Sequence, residues 1–270
     1  WAPEYLAKYL VLERGQHYSQ AALTHQRRVL SRSGHFEEVI LEVGDPIVGV
    51  SNAIPVQIRL IPNKANRYRG RVGWGTDTDF GVQADWTRRY IGRQGHYFNL
   101  GGTLVEERDS VAGDLTYTIP IDPLSASAIQ LRARHESKDL TYEDVELTEG
   151  GDTRIATNIL ALRWQAPESS WRDFELQRSI SLGLVGETYD VFEVLFGNLP
   201  KSSQQLIIEA IGNKAYDTLA PDFEAIVADV SLTLRRANDP LFIRRGDYLK
   251  LQLLGSDESL GSNISFWQAN

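Results

Sequence analysis

The stretch RYRGRVGWGTDTDFGVQADW, residues 67–86, alternates two kinds of side chain with a period of two. Tyr68, Gly70, Val72 and Trp74 hold one parity; Arg69, Arg71, Gly73 and Gly75 hold the other. Beyond the Thr-Asp-Thr at 76–78, Phe80, Val82, Ala84 and Trp86 alternate with Gly81, Gln83, Asp85 and Thr87. Successive side chains of a strand point to opposite faces, so the pattern reads as strand, with an apolar and aromatic face and a polar one. The same dyad recurs down the chain. Leu115, Tyr117, Ile119 and Ile121 flank Thr116, Thr118 and Pro120; Ile129, Leu131 and Ala133 flank Gln130, Arg132 and Arg134. Ile180, Leu182 and Leu184 follow, then Val230, Leu232 and Leu234, then Leu249, Leu251 and Leu253.

Upstream of residue 67 the period is different. Trp1 to Leu10 reads as a short helical segment broken at Gly15, and Ser19 is placed to cap a second helix through Ser33. Ala22, Leu23, Gln26, Val29 and Leu30 would form its inner stripe, with Gly34 as the C-terminal stop. Two alternating strands come next, one with Val39, Leu41 and Val43 on a face, the other with Val56, Ile58 and Leu60. Helix, helix, strand, strand makes a small α+β module over residues 1–66, followed by an all-β region over 67–270.

Charge and composition narrow the classes. The chain carries a net charge of −8 and 42% hydrophobic residues, which describes a folded acidic protein with no general nucleic-acid surface. No apolar run reaches the ~18–20 residues of a membrane helix. There is no cysteine, hence no disulfide or thiolate metal site, and no methionine. His17, His25, His35, His96 and His135 show no metal-ligand spacing, and no nucleophile elbow occurs, so neither catalysis, a metal nor a cofactor is expected.

Long regular dyads fit a soluble sandwich with one face in water, or a membrane barrel with lipid outside and a wet lumen inside. The barrel is favoured by segments near the ~9–11 residues of a tilted spanning strand. Trp74, Trp86, Tyr90, Tyr97, Trp164 and Trp171 recur near segment ends, where an interfacial girdle would place them. Short turns also alternate with long polar connections such as 143–153 and 196–223. On this reading Val72, Val82, Leu115 and Leu131 face lipid, while Arg71, Gln83, Thr116 and Arg132 face the lumen.

Several motifs then resemble one family in its own order. RYRGRVGWGTDT at 67–78 is similar to the glycine-rich first barrel strand of BamA/TamA-type outer-membrane assembly factors, which ends in Gly-Tyr-Gly-Thr-Asp-Thr-Gly; Trp74 and Asp79 depart from that pattern. RRYIGRQGH at 88–96 resembles their Asn-Arg-Arg-Gly-His hairpin, and YTIP at 117–120 a Tyr-x-Ile-Pro strand end. NDPLFIRRGDY at 238–248 resembles their Asp-Pro-Leu-Phe turn, and LGSNISF at 260–266 the segment after it. Upstream, SRSGHFEEV at 31–39 resembles the Ser-Gly-Tyr-Phe signature of a POTRA domain, the family's periplasmic module. The TamA-like branch fits best.

The resemblance implies a POTRA module over 1–66, lacking its first strand, then about eight to ten strands of a sixteen-stranded outer-membrane barrel over 67–270. The chain would therefore be part of a longer protein, with residues 191–223 as a surface loop. It also implies a function, the insertion and assembly of outer-membrane proteins. The expected partners are nascent outer-membrane proteins or autotransporters, the lipid bilayer, and a periplasmic or inner-membrane protein held through the POTRA module. Client strands would add to the backbone edge Arg67, Tyr68, Arg69, Gly70, Arg71, Val72, Gly73, Trp74, Gly75, Thr76. A second edge would be offered by Pro55, Val56, Gln57, Ile58, Arg59, Leu60 and Ile61. Arg69 and Arg71 would serve barrel electrostatics rather than client contact. A two-partner-secretion transport barrel and a soluble all-β binding protein are the alternative classes.

Overall fold

The structure is a computed structural model that describes residues 1–47, 53–75, 79–106, 110–139, 154–172, 174–188, 192, 196, 199–212, 222–237 and 246–270. It begins with helix α1, Pro3–Ala7, which carries proline in its first turn, where the missing N–H costs nothing. Helix α2, Gln20–Arg32, starts at Ser19, whose hydroxyl accepts from the Ala22 N–H. Gly34 then takes a left-handed φ of 71° and turns the chain into strand β1, Phe36–Val43. Strand β2, Val56–Pro62, pairs antiparallel with β1.

The inner face of α2 follows the expected stripe: Leu23, Gln26 and Leu30 are buried. Leu30 packs with Tyr5, Tyr9 and Phe36, and Val39, Ile58 and Leu60 close over them. Gln26 is fully buried yet satisfied. Its Oε1 accepts from the backbone of Val11 (2.6 Å) and Leu12 (3.2 Å), and its Nε2 donates to Tyr9 O (2.8 Å). One amide thus ties the α1–α2 connection to the core.

From Asn66 the chain is sheet. The strands are β3 Asn66–Gly75, β4 Asp79–Ile91, β5 His96–Val105, β6 Ser110–Asp122, β7 Ser127–Asp139, β8 Arg154–Gln165, β9 Ser169–Trp171, β10 Phe174–Thr188, β11 Asp222–Ala237, β12 Gly246–Ser256 and β13 Phe266–Ala269. Together they form one eleven-stranded antiparallel sheet, ordered β13-β12-β11-β10-β8-β7-β6-β5-β4-β3, with the short β9 paired beside the start of β10. Ten strands form the continuous ladder, and among the described residues its two ends, β3 and β13, do not meet.

The register places like with like across the whole ladder. Leu131, Leu162 and Leu182 stand in one cross-strand row; Trp164, Ile180, Val230 and Leu253 form the next. Val72, Val82, Leu104 and Val111 make a third row nearer the other end. These apolar side chains are about half exposed. The opposite parity carries Arg71, Gln83, Thr103, Ala112 and Glu136 or Thr116, Arg132 and Ala161 in its rows. That face is the sheltered one: Thr118, Ser179 and Ala225 are almost wholly buried, so the sheet curls toward its polar side. Val72, Val82, Leu115 and Leu131 therefore lie on the convex apolar face, with Arg71, Gln83, Thr116 and Arg132 on the concave polar one.

The connections fall at two ends of the sheet, one with none longer than eight residues and the other with both short and long ones. At one end lie 92–95, 123–126, 166–173 and 238–245; at the other lie 76–78, 106–109, 140–153, 189–221 and 257–265. The longest contains helix α3, Lys201–Ile211, which the expectation of a surface loop over 191–223 did not include. Leu206, Ile207, Ile208 and Ile211 were its signal, passed over because the stretch matches the family's pattern poorly. Connection 143–153 and most of the turn motif 238–248 lie outside the described residues.

The α+β unit sits at the short-turn end. Ala2 N donates to Arg93 O (2.9 Å), Lys8 Nζ donates to Ile121 O (3.0 Å), and Tyr90 Oη donates to Asn63 O (3.3 Å). Trp1 packs its ring on Tyr90, 4.8 Å between centroids. Tyr5 closes over Gly95, whose φ is 71°; a Cβ there would overlap the phenol. His35 is buried behind Tyr5, and its Nε2 lies 3.0 Å from the Tyr5 hydroxyl. Burial pushes its pKa down to about 4, against a smaller upward pull from the Arg89 backbone.

That shift has a measurable consequence. The folded unit binds fewer protons than the unfolded chain between the ordinary histidine value of 6.5 and about 4. Stability is therefore fully present above pH 6.5 and declines as the pH falls through that window, by about 3 kcal/mol at most. Urea titrations followed by Trp1 fluorescence at pH 7 and pH 4.5 should show the loss, and His35→Phe should flatten the pH dependence. An unchanged slope in that variant would place the acid sensitivity elsewhere.

Candidate functional site

Strand β3 is held on one side only. Its ladder to β4 runs from Asn66 opposite Arg88 to Gly75 opposite Asp79, and no described strand takes its other edge. Every residue from Arg67 to Trp74 is exposed. A strand in this position presents a row of backbone N–H and C=O groups with no protein partner, ready to pair with another chain. Arg67, Tyr68, Arg69, Gly70, Arg71, Val72, Gly73, Trp74 and Gly75 all lie on it, while Thr76 falls outside the described residues.

The two faces of β3 differ in chemistry. Tyr68, Val72 and Trp74 stand on the convex face, each about 70% exposed, with Tyr68 stacked at 6.2 Å on Trp86. Arg67, Arg69 and Arg71 stand on the concave face, opposite Thr87, Asp85 and Gln83. At the root of the strand Asn66 Oδ1 accepts from Trp86 Nε1 (3.3 Å) and Arg88 Nη1 (3.1 Å), and Arg89 N donates to Ala65 O (2.8 Å). The strand is fixed where it leaves the α+β unit and bare beyond.

The second expected edge behaves differently. Pro55 precedes β2; its carbonyl accepts from Gly44 N (2.9 Å) and its ring fills the space beside Gly44, so it closes the β1–β2 ladder. Val56, Gln57, Ile58, Arg59, Leu60 and Ile61 lie in β2, which pairs only β1 among the described strands. The two edges are thus consecutive in the chain, separated by 63–65, yet belong to different sheets.

The concave face is wired by hydrogen bonds. Arg163 donates to Ser179 Oγ (2.8 Å), Ser179 meets Ser231 (2.6 Å), Ser181 donates to Asp229 (3.4 Å), Gln252 donates to the same carboxylate, and Arg134 pairs with Glu136 (2.5 Å). A hollow of about 750 Å³ opens on this side, lined in part by Asp114, Arg134, Ile159, Val185 and Ala225. Among the described residues no three His, Asp or Glu side chains are grouped to hold a metal ion.

The junction at Tyr5 and Gly95 was not foreseen. Its signal was present in RRYIGRQGH, where two glycines bracket a four-residue turn, but nothing local says that a tyrosine ninety residues earlier would close on it.

No family model matches the chain. Among solved structures, its fold is similar to the crystal structure of BamA from Haemophilus ducreyi lacking POTRA domains 1–3, with a TM-score of 0.69 at 14% identity. The likeness covers 99% of this chain and 48% of that one, so the chain spans about half the length of the solved protein. At this identity the shared property is the fold: an antiparallel sheet of the BamA barrel type.

Proposed function

We propose that the chain is part of an outer-membrane protein insertase of the BamA kind, acting through the free edge of β3. The observation that carries this reading is an edge strand exposed along residues 67–74 in a sheet whose convex face is apolar. Monomeric soluble proteins rarely expose contiguous apolar patches beyond a few hundred Å². The rows from Leu131 to Leu182 and from Trp164 to Leu253 extend across neighbouring strands, as a surface in contact with hydrocarbon would. Lipid excludes water, so strand ends within it must find backbone partners. A nascent outer-membrane strand meeting β3 offers them, and pairing there templates its addition.

In this reading the α+β unit is the last POTRA module and lies in the periplasm, at the short-turn end, while the long connections face outward. The motif SRSGHFEEV and the helix-helix-strand-strand order support it. The TamA-like branch rests on the sequence motifs alone. Strand addition is by main-chain pairing, and the reading requires no catalytic group and no cofactor.

Two tests follow from the geometry. In the full-length protein refolded into bilayers, arginine at Leu131 or Leu162 should cost ~2–4 kcal/mol, whereas Thr116→Arg should cost far less. Equal costs on both faces would remove the membrane from the argument. For the edge itself, proline at Arg71 or Val72 should reduce client assembly by about tenfold or more, because it deletes a ladder donor and bends the strand. Single cysteines along 68–75 should cross-link a stalled client in steps of two. Assembly that survives both prolines would make β3 merely structural.

A further inference from the structure

We propose that Arg67, Arg69 and Arg71 select the strand that pairs with β3, and that this strand carries Asp or Glu at alternate positions on its inward face. The inference rests on the edge reading above and adds to it the chemistry of the partner.

The three arginines share the concave face of one strand, spaced about 7 Å apart by the two-residue repeat. None of them makes a hydrogen bond or an ion pair in the described structure, and all three are exposed. Across the ladder on the β4 side they face Thr87, Asp85 and Gln83, so only Arg69 has a carboxylate in register. That carboxylate is turned the other way: Asp85 leans with Asp114 over Gly101, one strand further on, and takes Gln83 Nε2 at 3.3 Å. On β7, Arg134 has its own carboxylate in Glu136, whereas Arg132 pairs with none among the described residues. Among the described residues the cations of the edge strand have no carboxylate partner, as is also true of Arg132 in mid-sheet, and their open side is the side where another strand would lie.

A strand added there places its inward side chains directly opposite or diagonal to these three. Opposite charges at such positions stabilise a pair and like charges oppose it. On the outward side, Tyr68, Val72 and Trp74 ask for apolar partners. The partner is thus an incoming client strand in which apolar residues alternate with Asp or Glu.

The full-length protein folded in detergent tests this with three nine-residue peptides, each carrying the same apolar residues at odd positions and a photoreactive group. Even positions hold Glu, Ser or Lys. Cross-links to β3, mapped by mass spectrometry, should favour the Glu peptide over the Lys peptide by about tenfold, with Ser between them. The preference should shrink at 1 M salt. Changing Arg67→Glu, Arg69→Glu and Arg71→Glu together should reverse the order, with heat-modifiable migration confirming that the sheet still folds. The unaltered protein alone can overturn the idea. Equal labelling of β3 by all three peptides would leave the edge as a template but remove the arginines from selection. Labelling of β3 by none would overturn the edge reading itself.

Discussion

Everything in this molecule depends on where backbone N–H and C=O groups find partners. Apart from the short β9, each strand from β4 to β12 is paired on both sides, so its main chain is satisfied and its side chains are free to be sorted by face alone. Only at β3 and β13 does the ladder stop among the described strands. β3 has ten residues, no cover and no inward carboxylate, and its concave side holds three cations instead. Lysine or arginine on an edge usually prevents sheets from joining, but such charges repel only strands of their own sign. By the same rules, three cations on the edge would oppose pairing with another copy of β3 and favour an acidic strand.

Parity carries the second constraint. Because side chains alternate strictly, the face of one strand dictates the face of the next through the register, and a single-residue slip would exchange Leu for Arg across the sheet. The glycines at the two ends of the turn 92–95, both with positive φ, hold one of those registers, and the irregularity between Arg88 and Ile91 absorbs the odd residue there. The turn is held in place from outside as well, by Tyr5 over Gly95 and Ala2 N on Arg93 O. The α+β unit thus acts on the register of β4 and β5, and through β4 on the strand that carries the open edge.

Much of this was legible in the sequence, for reasons that differ by element. The dyads of 67–86 and 115–134 were readable because a period of two needs no tertiary information, and they assigned Val72, Leu115 and Leu131 to one face without a structure. The α2 stripe was readable because Ser19 and Gly34 mark its ends and Leu23, Gln26 and Leu30 repeat at helical spacing. What could not be read was long-range: which strands end a sheet, where α1 docks, and whether Arg69 and Arg71 meet a carboxylate. Register opposite Asp85 suggests an ion pair for Arg69, and only the packing of Asp85 against Gly101 shows that it does not form. Helix α3 escaped because its eleven residues sit inside a long connection, where local polarity outweighs a single apolar cluster.

The glycines of β3 give the last step. A glycine in a sheet can be demanded by a neighbour, as at Gly101, Gly183 and Gly255, where an added Cβ would press on Asp114, Ala161 or Trp267. Gly70 and Gly73 are of another kind, since nothing lies within 4 Å of where their Cβ would be. No close approach requires them. Their effect is on the strand itself: two positions without side chains cannot pack on β4, and they leave β3 with fewer cross-strand contacts to hold it flat. A strand paired on one side among the described residues, with Arg on its concave face and one glycine gap on each face, is weakly committed to that partner. That is the state in which an edge can exchange partners, and it is set by residues that a well-packed terminal strand would not contain.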